Sequence, residues 1–277
     1  MIAGFDDIIV MALKEDAPFG DVTTMGTVPE DATAFGQFIA KDNGVLCGID
    51  IARRTFELVG GDFELITHLS DGEGVKNGDV IAKISGNART ILTGERIALN
   101  LMQRASGIAT VTAEAVKAVA GTKAKIADTR KTMPGLRLLD KYAVRIGGGV
   151  NHRFNLSDGI LIKDNHISAS GSITRAIQSA KKSCPHTLKI EVEVESFAQL
   201  EEALSAGADI IMLDNMSVED MARAVQIVNG RAMTEASGNM GERDLAAVAS
   251  SGVDLISIGA LTHSVKALDI SLKFKII

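Results

Sequence analysis

The chain has 277 residues, 46% hydrophobic and 23% charged, ordinary globular values that leave room for an α/β barrel with a smaller companion domain and exclude a disordered chain. A formal net charge of −6, a pI near 5.4, one Tyr and no Trp argue against a nucleic-acid binder, which needs a basic face and stacking platforms. No apolar run approaches the ~18 residues of a membrane span and the start lacks a basic n-region, so a cytoplasmic protein with no membrane contact is expected.

In chain order, residues 1–106 carry glycine-punctuated β-like runs from Gly36 to Gly48 and from Asp71 to Gly86. A helix follows from Glu95 to Met102, with Ile97 and Leu101 one turn apart and Arg96 on the polar side. This stretch lacks a β/α rhythm, so a separate α/β domain is expected over 1–106, with the apolar chain end 266–277 packing back onto it. Cys47 and Cys184 show no metal-ligand spacing and read as packing residues.

From Lys123 onward short β-like runs alternate with helical patterns, the signature of parallel βαβ units, giving a (β/α) barrel over 107–265. The runs span 123–127, 159–163, 189–194, 209–214, 232–236 and 254–259. Ser196-Phe-Ala-Gln199 and Ser217-Val-Glu-Asp220 fit capping boxes, and Val218, Met221, Val225 and Val228 form one buried helical stripe. Each run ends on polar or glycine residues: Asp128 to Lys131, Lys163-Asp164, Glu193, Asp214-Asn215, Glu235 with Ser237-Gly238, and Ser257 with Gly259. Those are the places that would line the carboxyl-end mouth of a barrel. Alternation in 189–195 puts Lys189, Glu191, Glu193 and Glu195 on one strand face, and interior carboxylates need cationic, metal or substrate partners.

The 39 residues from Asp128 to His166 hold seven Lys or Arg against four Asp, plus two His, in pieces that read as too broken for a regular element. In an acidic protein such a cluster implies a local positive pocket for a compact polyanion, an acid or a phosphate ester.

These motifs resemble those of the quinolinate phosphoribosyltransferase family over essentially the whole chain. The matching segments include E-D-A-P-F-G-D-V-T-T (15–24), D-T-R-K-T-M-P-G (128–135), G-G-G-V-N-H-R (147–153), L-I-K-D-N-H (161–166), I-M-L-D-N-M (211–216) and E-A-S-G (235–238). The resemblance implies an α/β protein, an incomplete (β/α) barrel with an N-terminal α/β sandwich domain. It also implies joining of quinolinate to phosphoribosyl pyrophosphate, with loss of pyrophosphate and CO2, to give nicotinate mononucleotide for NAD synthesis. By the same resemblance Arg130, His152, Arg153 and Lys163 hold the two quinolinate carboxylates, with Arg96 entering from the neighbouring subunit of a homodimer, itself free or stacked in a hexamer. Lys131 takes the pyrophosphate, while Glu193 and Asp214 take the ribose hydroxyls near the Mg²⁺ that travels with the phosphoribosyl donor. Ser237, Gly238 and Gly259 offer backbone N–H groups to the 5′-phosphate. Lys131, Lys163, Glu193 and Asp214 are the catalytic set so implied. The alternatives are a nicotinate-using relative, a molybdenum-associated paralogue, and a lyase with Lys163 as a Schiff-base amine.

Overall fold

The computed structural model describes residues 4–276. The first elements in chain order are α1 (Phe5–Asp16), α2 (Val22–Thr27), β1 (Thr33–Ala40), β2 (Gly44–Val45), α3 (Ile49–Val59), β3 (Phe63–Thr67), β4 (Gly74–Val75), β5 (Val80–Asn87) and the long α4 (Ala88–Ala118). Then come β6 (Lys125–Ala127), α5 (Arg137–Ile146), β7 (Ile160–Ile162), α6 (Asp164–Ser170), α7 (Ile173–Ser183), β8 (Ile190–Val194), α8 (Phe197–Ala206) and β9 (Ile210–Asp214). The chain closes with α9 (Val218–Val228), β10 (Met233–Ser237), α10 (Leu245–Ser250), β11 (Leu255–Ser257), α11 (Ala260–His263) and β12 (Ile270–Ile276).

Two compact units result. One gathers the chain up to Ala113, Met133–Gly148 and Ser264 onward; the other gathers Glu114–Thr132 and Gly149–His263. Residue 106 lies inside α4, and the segment 133–148 folds with the first unit.

The first unit is built on an antiparallel sheet in the order β12-β1-β5-β3, so the apolar chain end does return to it as a strand, pairing Ala40 with Ile270 and Phe38 with Leu272. Phe38, Phe56, Ile81, Ile84, Ile91, Met102 and Leu272 make its core. Gly107 marks a close approach, because a Cβ there would meet the Lys266 carbonyl oxygen at 2.2 Å. The Asp71 carboxylate accepts from the Gly48 and Ile49 N–H groups and so caps α3, a favourable place for an anion. The expectation that the cationic stretch has no regular element is corrected by α5, which buries Leu139, Ala143 and Val144. Its Asp140 takes a bidentate pair from Arg104 Nε and Nη2, both at 2.8 Å. Lys141 on the same helix is buried as well.

The second unit is an all-parallel sheet in the order β6-β11-β10-β9-β8-β7, with one further parallel bridge from Ala127 to Val150. The curved sheet does not close, and the unit is an incomplete barrel. Its strand bodies, among them Ile126, Ile162, Val192, Ile211, Leu213 and Ile256, are buried, as a parallel sheet flanked by helices requires. Ser172, Ser196 and Ser217 start α7, α8 and α9 by accepting the N–H groups of Arg175, Gln199 and Asp220, each cap worth about 1 kcal/mol. Neither expected capping box is complete. The Gln199 amide oxygen takes the Glu195 N–H, and Asp220 takes the Ser217 hydroxyl. On α9, Met221, Ala224 and Val228 are buried while Val218 and Val225 are half-buried.

Candidate active site

Strand ends in the second unit place most of the expected residues around one cavity of about 310 Å³. Arg130 and Lys131 follow β6, Lys163 follows β7, Ser237 ends β10, and His152 and Arg153 come from the segment after Val150; all six line the cavity. Lys163 is the N-cap of α6, and its N–H donates to His166 Nδ1 at 3.0 Å, which is what the K-D-N-H sequence encodes locally. Glu193, on the interior face of β8, joins the group through its ion pair with Lys163. Asp214, Gly238 and Gly259 stand at neighbouring strand ends and do not line this cavity. Arg96 is exposed on α4 in the first unit.

The cavity is cation-rich. Burial, and then the positive Arg130 nearby, lower the affinity of the Arg153 guanidinium for its proton, with Glu191 opposing. Arg153 Nη1 also donates to the Gly159 carbonyl at 2.9 Å, which fixes its stem. Two guanidiniums and two ammoniums facing one hollow favour an incoming multiple anion.

His152, which lines the cavity, is held at both ring nitrogens. Its Nδ1 accepts the Arg153 N–H at 2.7 Å, so the proton of the neutral ring sits on Nε2. That atom lies 3.1 Å from Glu191 Oε2 and 3.7 Å from Glu235 Oε1. Asp128, fully buried, holds this segment by accepting from the His152 N–H at 2.8 Å and from Asn151 Nδ2 at 2.6 Å. Glu235 is 1% exposed, and its carboxyl is pushed up to about 7 by burial and by the Glu191 charge, with His152 pulling the other way. Asp128, Glu191 and Glu235 were legible in the sequence as polar residues of strands and strand ends; that Asp128 holds the His152 segment and that Glu191 and Glu235 meet at its ring was not.

Glycines at strand ends serve packing. Gly238 has φ +96°, and a Cβ there would lie 2.2 Å from Asn215 Oδ1 and 2.8 Å from its backbone nitrogen. Gly238→Ala is expected to cost ~1–3 kcal/mol and to lower the melting temperature by about 5 °C, measured by calorimetry. At Gly259 a Cβ would sit 2.9 Å from Lys131 Cδ, so this glycine makes room for the lysine stem. Thr262 Oγ1 donates to the Lys131 carbonyl at 2.8 Å and holds the same loop.

Comparison with known proteins agrees over both units. Residues 21–106 match the family model for the quinolinate phosphoribosyl transferase N-terminal domain and 108–273 the one for its C-terminal domain. A probable nicotinate-nucleotide pyrophosphorylase [carboxylating] of Bacillus subtilis (strain 168) is 47% identical over 258 residues, 93% of this chain and 89% of that one. The nicotinate-nucleotide pyrophosphorylase [carboxylating] of Mycobacterium leprae (strain TN) is 45% identical over 96% of this chain and 95% of its own. The crystal structure of NadC from Streptococcus pyogenes superposes with a TM-score of 0.92 at 44% identity, over 99% of this chain and 97% of that one.

Proposed function

The chain belongs to the quinolinate phosphoribosyltransferase family, and from that premise we propose how its own residues carry the reaction. The enzyme transfers the phosphoribosyl group of phosphoribosyl pyrophosphate to the ring nitrogen of quinolinate. Pyrophosphate and CO2 leave, and nicotinate mononucleotide, a precursor of NAD, is formed. One observation carries the assignment of roles: Arg130, Lys131, Arg153 and Lys163 line a single cavity in a chain of net charge −6.

In this reading Arg130 and Arg153 grip the quinolinate carboxylates, the planar guanidinium fork matching two oxygens. Lys163 is shared between the substrate and Glu193. Lys131 meets the departing pyrophosphate. Glu193 and Asp214 face the ribose and favour the positive charge that develops at its anomeric carbon as the bond to pyrophosphate lengthens. His152 acts through Arg153, whose N–H it accepts. Ser237 and the Gly238 turn take the 5′-phosphate. Mg²⁺ enters as part of the phosphoribosyl pyrophosphate substrate, and the oxygen donors of Glu193 and Asp214 suit a hard cation that keeps several waters. A homodimer in which Arg96 completes the neighbour's carboxylate grip, alone or within a hexamer, and a cytoplasmic location belong to the same proposal. No helix among the described residues is long and apolar enough to cross a membrane.

Arg153→Ala is expected to remove a charge-assisted contact of about 1.5–3 kcal/mol, and so to lower kcat/KM for quinolinate roughly 10- to 150-fold in a steady-state assay. The reaction itself is tested by incubating the protein with phosphoribosyl pyrophosphate, Mg²⁺ and either quinolinate or nicotinate while following nicotinate mononucleotide and CO2. Product from quinolinate with CO2 supports the reading; equal use of nicotinate would overturn it. The Schiff-base alternative is disfavoured by the ion pair of Lys163 with Glu193, which works against the free amine such a lysine needs.

A further inference from the structure

Heterolysis of the carbon–carboxylate bond leaves an electron pair on ring carbon C2, and that carbon needs a proton before product can leave. The cations that hold the substrate carry charge for binding and are poor acids. Glu235 is differently placed. It lines the substrate cavity from the middle of β10, is buried, and its Oε1 has no hydrogen-bond partner. Glu191 from β8 is also buried with Oε1 unpartnered, and the donor atoms of Glu191, Glu235 and His152 all lie within 4.8 Å of one another. Two buried carboxylates within 4.8 Å of each other cannot both stay ionised at low cost, so the cluster retains a proton. Ser257 from β11 faces Glu235 as well, and Arg130, Lys131, Arg153 and Lys163 face it across the cavity.

A second cavity, of about 520 Å³, meets the same cluster from the other side. It is lined by residues at or next to the amino ends of strands, among them Ile160, Lys189, Ile210 and Leu255, and it shares His152, Arg153 and Glu235 with the first. It is polar and roomy enough to hold water. Glu235 thus stands between a substrate side and a water side.

We propose that Glu235 is the acid that protonates C2 as CO2 departs, and that water in the second cavity restores it through Glu191 and His152. The C2–carboxylate bond breaks with its electron pair left on C2, the Glu235 O–H proton passes to C2, and the Glu235 carboxylate then takes a proton that originates in water. The step rests on the reaction assigned above. It makes Glu235 a catalytic residue for decarboxylation alone, while Glu191 and His152 are positioning and relay residues.

The test is a rapid-quench single turnover of Glu235→Gln with quinolinate, phosphoribosyl pyrophosphate and Mg²⁺, timing pyrophosphate and CO2 separately and weighing the mononucleotide by mass spectrometry. Glutamine keeps the shape and hydrogen-bonding capacity but has no acid proton. Pyrophosphate release is expected to stay within about threefold of wild type while CO2 release slows about 100-fold, and a mononucleotide still carrying both carboxylates accumulates. Glu191→Gln removes the charge that raises the Glu235 carboxyl, so CO2 release is expected to slow from the first turnover onward, and an unchanged CO2 rate would overturn its place in the relay. Equal slowing of both releases in Glu235→Gln, an unchanged CO2 rate, or failure of that variant to bind quinolinate in equilibrium dialysis would each overturn the proposal. Wild-type protein that made no nicotinate mononucleotide would instead refute the underlying reaction, a result readable without any variant.

Discussion

Lys163→Met is expected to lower kcat/KM for quinolinate by roughly 30- to 4000-fold, the equivalent of about 2–5 kcal/mol. Two losses combine in that range. The substrate carboxylate loses one of its cations, and the Glu193 carboxylate, whose side chain is only 13% exposed, loses the ammonium that neutralises it. An uncompensated anion then faces an anionic substrate in a poorly hydrated hollow. Pairing the change with Glu193→Gln separates the two. If Glu193 repels substrate once Lys163 is gone, the double variant recovers part of the loss, and the double-mutant cycle reports a coupling of about 1 kcal/mol or more. A Lys163→Met enzyme within threefold of wild type would remove Lys163 from the substrate grip.

Glu235→Gln is expected to stabilise the protein at pH 8 by about 3 kcal/mol and to flatten its stability against pH. Burial and Glu191 raise the Glu235 carboxyl from 4.5 to about 7. Between those values the folded chain keeps a proton that the unfolded chain has released. Stability from this group is therefore fully present below about 4.5, falls as pH rises towards 7, and stays low above it, about 1.4 kcal/mol being lost for each unit of displacement. Glutamine has no proton to lose. Denaturant titration of wild type and variant across pH 4.5–8 is the measurement; curves that run parallel would show that Glu235 does not titrate with folding.

The barrel was legible because its strands are short apolar bodies with chemistry at their ends. The six runs from Lys123 to Gly259 correspond to β6 to β11, and Ser196 and Ser217 start α8 and α9 as their sequences indicate. The first unit was harder to read. In α3 the apolar face is built from Ile49, Ala52 and Phe56 beside Arg53 and Arg54, and its start is capped by Asp71 from a distant loop, so no local signal announces it. The helix α5 was hidden by its charged residues, one of which, Asp140, is settled by Arg104, a partner far along the chain. The cavity-lining cations were legible from residue type and resemblance. The Glu191–Glu235 contact was not, because β8 and β10 are separated by β9 in the sheet. Strands two apart in a flat sheet lie about 10 Å from each other, so only the curvature of the barrel brings the two carboxylates together. The orientation of His152 was equally beyond the sequence, being set by the Asp128 carboxylate and the Arg153 N–H.

The pairing of β1 with β12 has a consequence for biosynthesis. A ribosome that has finished β5 must add on the order of 180 further residues before Ile270 to Ile276 exist, which takes roughly ten seconds or longer. Throughout that interval one edge of β1 offers unpaired N–H and carbonyl groups, and the hollow later filled by Ile270 and Leu272 is bare. Until the chain end arrives, that edge is open to pairing with any other extended segment, the hazard an unpaired strand carries.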